Sequence, residues 1–180
     1  MVYLFLADGF EEIEALTPVD VLRRGKIEVT TVGVGKTSVK GSHGITVQAD
    51  ISDDRLTGFD DAEAVVLPGG MPGTRNLAAC DKVQKAIKYC TANDILLGAI
   101  CAAPSVLGNA GILEGKRAVC FPGFEGELKG AVQGEDGVCR DGNIITAKGM
   151  GVSLDFALEL LAALRGRDEA DRVRKSLQCR

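Results

Sequence analysis

Cys101 stands where an apolar strand pattern gives way to a helix pattern. Ile95-Leu96-Leu97-Gly98-Ala99-Ile100 has strand length, Cys101-Ala102-Ala103 is a turn of small residues, and Pro104 opens an apolar, helix-compatible segment. Proline suits the first turn of a helix, where its missing N–H would be unpaired anyway. The pattern predicts strand, sharp turn and helix, with the thiol at the carboxyl end of the strand. A helix N-terminus facing that thiol lowers its pKa, and the thiolate is the nucleophile. Cys101 is therefore expected to have the lowest pKa of the six cysteines. The competing reading is a small buried apolar residue, a frequent fate of a free cysteine. The turn is similar to the nucleophile elbow of α/β enzymes, without their serine motif.

Two further stretches carry chemical potential. Asp8-Gly9-Phe10-Glu11-Glu12-Ile13-Glu14 follows the apolar Val2–Ala7 and puts three acids at a helix start. The helix dipole alone accounts for acids there. Pro68-Gly69-Gly70-Met71-Pro72-Gly73 follows the apolar Ala62–Leu67, and its glycines let backbone approach a ligand closely. It lacks the Gly-Lys-Ser/Thr ending of a phosphate loop.

The positioning elements alternate. Strands are expected over Val2–Ala7, Lys26–Gly33, Ala62–Leu67, Ile95–Ile100 and Arg117–Phe121, with hairpins over Val39–Val47 and Val138–Ala147. Helices are expected from Glu11 to about Arg24, distorted or restarted between Glu14 and Pro18, and over Leu77–Ala92 with Asp81 as a cap for its main part. Two more cover Ser153–Leu164 and Asp168–Leu177. Such alternation implies one α/β domain, a mainly parallel sheet with helices on both faces, and a site beyond the strands' carboxyl ends.

Composition narrows the function. At 180 residues and net charge −4, with acids and bases mixed, nucleic acid is not expected as the main partner. One histidine and no Cys-x-x-Cys pair argue against a zinc site. The N-terminus reads as a strand and not a signal peptide, no apolar run reaches membrane-span length, and a reducing cytoplasm is the natural setting for the thiols.

Ala7-Asp8-Gly9-Phe10-Glu11-Glu12-Ile13-Glu14, Leu67-Pro68-Gly69-Gly70 and Ala99-Ile100-Cys101-Ala102-Ala103-Pro104 together resemble the ThiJ/PfpI superfamily. The branch is that of the parkinsonism-associated protein deglycase and its bacterial homologues. The likeness runs through Thr146-Ala147-Lys148-Gly149 and the final helices. It implies a flavodoxin-like three-layer sandwich, like that of class I glutamine amidotransferases, and a homodimer. It further implies that Cys101 is the nucleophile, that Glu14 is a protonated carboxyl touching its sulfur, and that Gly70 and Ala102 form an oxyanion hole. Arg24 and His43 fall near positions that are basic in the family and lie close to the site across the dimer contact. Peptidase-like members carry histidine where this chain has Ala102, and the deglycase has one where this chain has Phe121, so a cysteine–histidine–acid triad is not expected.

Two functions use the same residues. Cys101 and Glu14 could turn over 2-oxoaldehydes such as methylglyoxal and glyoxal, or their adducts on protein side chains, without metal or cofactor. The alternative is an oxidative-stress sensor or chaperone in which Cys101 is oxidised to sulfenic and sulfinic acid. Amide or peptide hydrolysis is a third reading, weakened by Ala102. Cys120 bears watching, because the chain there leads to Phe121-Pro122 beside the expected site.

Overall fold

A computed structural model of the chain describes residues 1–179. Eleven strands are numbered in chain order: β1 Val2–Leu6, β2 Val29–Gly33, β3 Ser38–Lys40, β4 Thr46–Gln48, β5 Ile51–Ser52, β6 Ala64–Leu67, β7 Leu96–Ile100, β8 Arg117–Ala118, β9 Val132–Gln133, β10 Val138–Asp141 and β11 Ile144–Ala147. Six helices accompany them: α1 Glu12–Arg24, α2 Gly73–Ala79, α3 Asp81–Ala92, α4 Pro104–Asn109, α5 Ser153–Arg165 and α6 Arg167–Ser176. Seven strands form one sheet in the order β10-β11-β7-β6-β1-β2-β5. All its pairings are parallel except the β10–β11 hairpin.

The period of two along β1 divides the core. Val2, Leu4 and Leu6 face α1, α5 and α6 and pack with Leu22, Phe156, Leu160 and Val173. Tyr3, Phe5 and Ala7 face the opposite layer, where Leu77, Ile87 and Leu107 lie on α2, α3 and α4. Both faces of the sheet are buried, which is why its strands read as continuous apolar runs. The mainly parallel, doubly covered sheet expected from the alternation of elements, and the flavodoxin-like architecture implied by the resemblance, are observed.

Three local expectations are corrected. Helix α1 runs unbroken through Pro18, so the proline removes one intrahelical donor without dividing the helix. The helix expected over Leu77–Ala92 is two: α2 ends and α3 begins at Cys80, which adopts extended backbone and occupies the cap position assigned to Asp81. The strand expected over Arg117–Phe121 is only two residues long and pairs with β9 outside the main sheet.

The site is set by adjacency. β7, β6 and β1 are neighbours at the centre of the sheet, so the segments after their carboxyl ends converge. The Glu11 N–H donates to the Gly69 carbonyl at 2.9 Å, and the Gly73 N–H donates to Gly9 at 3.1 Å, tying the β1 and β6 loops together.

Candidate active site

Cys101 is the first residue after β7, with φ +65°, a left-handed conformation that costs a non-glycine residue of order 1 kcal/mol or more. Neighbouring segments hold it there. Its N–H donates to Ala147 at 2.8 Å, and its carbonyl accepts the Phe121 N–H at 2.8 Å. The chain turns through Ala102 and Ala103 and enters α4 with Pro104 at the first turn. The thiol is half-buried, and the backbone N–H groups of Gly70 and Ala102 point at its sulfur. Gly70 reaches that position with φ +88°, where a side chain would overlap the Glu11 amide.

The acids at the start of α1 divide into three roles. Glu11 caps the helix, its carboxylate accepting the Glu14 N–H at 2.6 Å. Glu12 is buried and fixes the turn between β3 and β4, accepting the N–H groups of His43 at 2.8 Å and Ile45 at 3.3 Å. Glu14, 1 % exposed, turns inward and meets Cys101. Its carboxyl accepts the Gly69 N–H at 3.0 Å and also receives the Met150 N–H.

Burial pushes the Glu14 carboxyl up to about 7, and the negative Glu11 adds to this against the hydrogen bonds from Cys101, Gly69 and Met150. With Glu14 ionised, burial first and the Glu14 charge and hydrogen bond next push the Cys101 thiol up to about 12; only the Gly70 and Ala102 N–H groups pull it down. The depressed pKa expected for Cys101 on its own is therefore corrected. Burial disfavours the charged form of both groups, and a thiolate beside an ionised Glu14 is also repelled by it. One proton left between oxygen and sulfur relieves that repulsion, so the state of Cys101 depends on Glu14.

Four of the residues singled out in the sequence thus come together: Cys101, Glu14, Gly70 and Ala102. His43 lies in the turn between β3 and β4, bonded to Glu12 rather than to Cys101 or Glu14. Its Nδ1 is 3.0 Å from Glu12, which raises its pKa, and its ring is largely exposed. Arg24 is elsewhere within this chain. It is ten residues past Glu14, roughly 15 Å along a helix, and its Nε bonds Asp20 at 2.7 Å. Among the described residues, Glu11, Glu12 and His43 hold possible metal-ligating atoms within 4.8 Å of one another, but hydrogen bonds to the neighbouring backbone already engage both carboxylates. No helix of the described residues is long and apolar enough to cross a membrane.

A profile of the DJ-1/PfpI family matches residues 1–163. The chain belongs to the DJ-1/PfpI family. It is 38 % identical over 173 residues to Protein DJ-1 homolog B of Arabidopsis thaliana, covering 93 % of this chain and 39 % of that protein. It thus spans well under half the length of that plant relative. It is 32 % identical to the glutathione-independent glyoxalase DJR-1.2 of Caenorhabditis elegans, covering 93 % of this chain and 89 % of the relative. The solved structure of oxidized Toxoplasma gondii DJ-1 superposes with a TM-score of 0.94 at 31 % identity, over 99 % of this chain and 97 % of that one.

Within this DJ-1/PfpI chain, two contributors escaped the sequence reading. A Cβ at Gly69 would lie 2.6 Å from both the Cys101 Cβ and the Glu14 Oε2, so position 69 must be bare for the two groups to meet. The Met150 amide reaches Glu14 from the loop after β11. The signals were Pro-Gly-Gly and Gly-Met-Gly, which show where backbone is exposed but not toward what.

Proposed function

We propose that this DJ-1/PfpI member is a cysteine-dependent glyoxalase that converts 2-oxoaldehydes to 2-hydroxy acids with its own side chains alone. The observation that carries the reading is the Glu14 carboxyl, raised to about 7 by burial, against the Cys101 thiol. Cys101 sulfur adds to the aldehyde carbon, and the aldehyde oxygen takes up a proton, giving a hemithioacetal. Glu14 removes the hydrogen of that carbon as a proton and returns one to the neighbouring carbonyl carbon through an enediol. The first carbon is oxidised and the second reduced, leaving a thioester of the 2-hydroxy acid. Water cleaves it, releasing the acid and restoring the thiol. The Gly70 and Ala102 N–H groups serve the developing oxyanion. The name of the worm relative supports this reaction class. Removal of the same adducts from protein side chains is the deglycase form of this chemistry.

The proposal includes a homodimer. Ile13 and Leu16 stay exposed on α1 beside Glu14, an apolar face suited to a second copy, whose Arg24 and His43 would then border the site. Six unpaired thiols fit a reducing compartment such as the cytoplasm. A second reading, oxidation of Cys101 in stress sensing, draws support from the oxidized state named for the Toxoplasma neighbour. Methylglyoxal turnover, followed by appearance of the 2-hydroxy acid, separates the two. Wild type turns over and Cys101→Ser does not if the enzyme reading holds. No turnover, with stoichiometric sulfinate formation under peroxide, favours the sensor.

A further inference from the structure

We infer that Met71, Phe121 and Met150 form an apolar rim that selects 2-oxoaldehydes bearing an apolar substituent, aryl above all, over unsubstituted ones. The inference rests on the proposed glyoxalase reading for its reaction, though not for its surface. All three side chains are exposed, at 38 %, 47 % and 54 % respectively. Each is tied through backbone to the reactive pair. Met71 follows Gly70, whose N–H points at the sulfur. The Phe121 N–H donates to the Cys101 carbonyl at 2.8 Å. The Met150 N–H donates to the Glu14 carboxyl.

The Phe121 ring has a specific seat. It covers Gly149: a Cβ there would lie 3.3 Å from the ring Cδ2 and 3.9 Å from the Glu14 Oε1. Ring and carboxyl therefore border the same space. Among the described residues Phe121 stacks on no other aromatic ring, the only such contacts being Tyr3–Phe59 and Phe59–Tyr89. A phenyl or methyl substituent at this rim covers apolar surface that a bare hydrogen leaves in water. Hydrophobic recognition of this kind is worth about tenfold for a modest contact.

The decisive experiment compares Cys101 labelling by N-phenylmaleimide and N-methylmaleimide, read by peptide mass spectrometry, in wild type, Phe121→Ala and Phe121→Gln. Both variants change a half-exposed side chain. Relative to the ratio on a small free thiol, wild type should favour the phenyl reagent about tenfold, and both variants should lose most of that preference. In parallel, the ratio of kcat/KM for phenylglyoxal to that for glyoxal should fall by about the same factor. If neither aldehyde is turned over while the labelling preference follows Phe121, the glyoxalase reading fails and the apolar rim stands. If labelling shows no phenyl preference, or the preference is unchanged in both variants, the rim is overturned whatever the turnover. A sedimentation shift from dimer to monomer in Phe121→Ala, with the labelling ratio unchanged, would overturn it in favour of a subunit contact.

Discussion

Glu14, in the first turn of α1 after β1, and Cys101, directly after β7, meet across the intervening β6 over Gly69, which places no side chain between them. Burial hinders ionisation of both; an ionised Glu14 raises the thiol further, whereas the hydrogen bond from Cys101 lowers Glu14, so the two titrate as a pair. The short Gly69 backbone makes the contact possible and its N–H holds Glu14 in place.

Adding a methyl group at Gly69 should therefore separate the pair. Its Cβ would meet both partners at 2.6 Å and the Ile100 carbonyl at 2.9 Å. Gly69→Ala should lower unfolding stability by about 2 kcal/mol, the scale of core overpacking, and should abolish turnover. Gly126→Ala, where a Cβ meets nothing within 4 Å, is the control. Equal urea midpoints for Gly69→Ala and wild type would contradict the geometry.

The raised Glu14 pKa has a consequence for stability. The folded carboxyl holds its proton up to about 7, against an ordinary value of 4.5. Between those values the folded state binds more protons than the unfolded state, so this group's contribution to stability falls as pH rises. Glu14→Gln does not titrate there. Wild-type stability relative to Glu14→Gln should decline by up to about 3 kcal/mol across that window and level off above it. Urea unfolding at the two ends of the window measures the difference; a constant difference would mean that Glu14 titrates normally.

Backbone strain at Cys101 is separable from its chemistry. At φ +65°, glycine relieves the clash that any side chain meets. Cys101→Gly should be more stable than Cys101→Ala by about 1 kcal/mol, although both lack the thiol. Thermal unfolding of the two variants decides it, and a more stable alanine variant would argue against strain at the turn.

The sequence revealed the elements better than their contacts. β1, β6 and β7 were readable because burial on both faces makes each a continuous apolar run. The break at Cys80 was not, because Ala78-Ala79-Cys80-Asp81 carries no glycine or proline. There the chain bends where the Cys80 thiol meets Asp53 at 3.6 Å, a tertiary contact with no local trace. Glu11, Glu12 and Glu14 look alike at a helix start. Only the path of the β3–β4 turn and the β6 loop makes one a cap, one an anchor and one the partner of a thiol. The Cys101 pKa was misjudged for the same reason: proximity to a helix start is visible in sequence, whereas burial beside a carboxyl is not.

Assembly gives another prediction. Ile13 is 48 % and Leu16 38 % exposed on α1. Sedimentation at micromolar concentration should show a dimer, and the double change Ile13→Asp with Leu16→Asp should shift it toward monomer. A clean 18.9 kDa species for wild type would contradict the proposed dimer.

The most direct test of the Glu14–Cys101 pair is methylglyoxal turnover by Glu14→Gln, with Cys101 alkylation measured on the same sample. Glutamine keeps an N–H donor and nearly the same shape but cannot exchange a proton. Turnover should fall about 100-fold or more while Cys101 remains open to alkylation, because only the acid–base step is removed. Full turnover by Glu14→Gln would contradict the account and reduce Glu14 to an acid at a helix start.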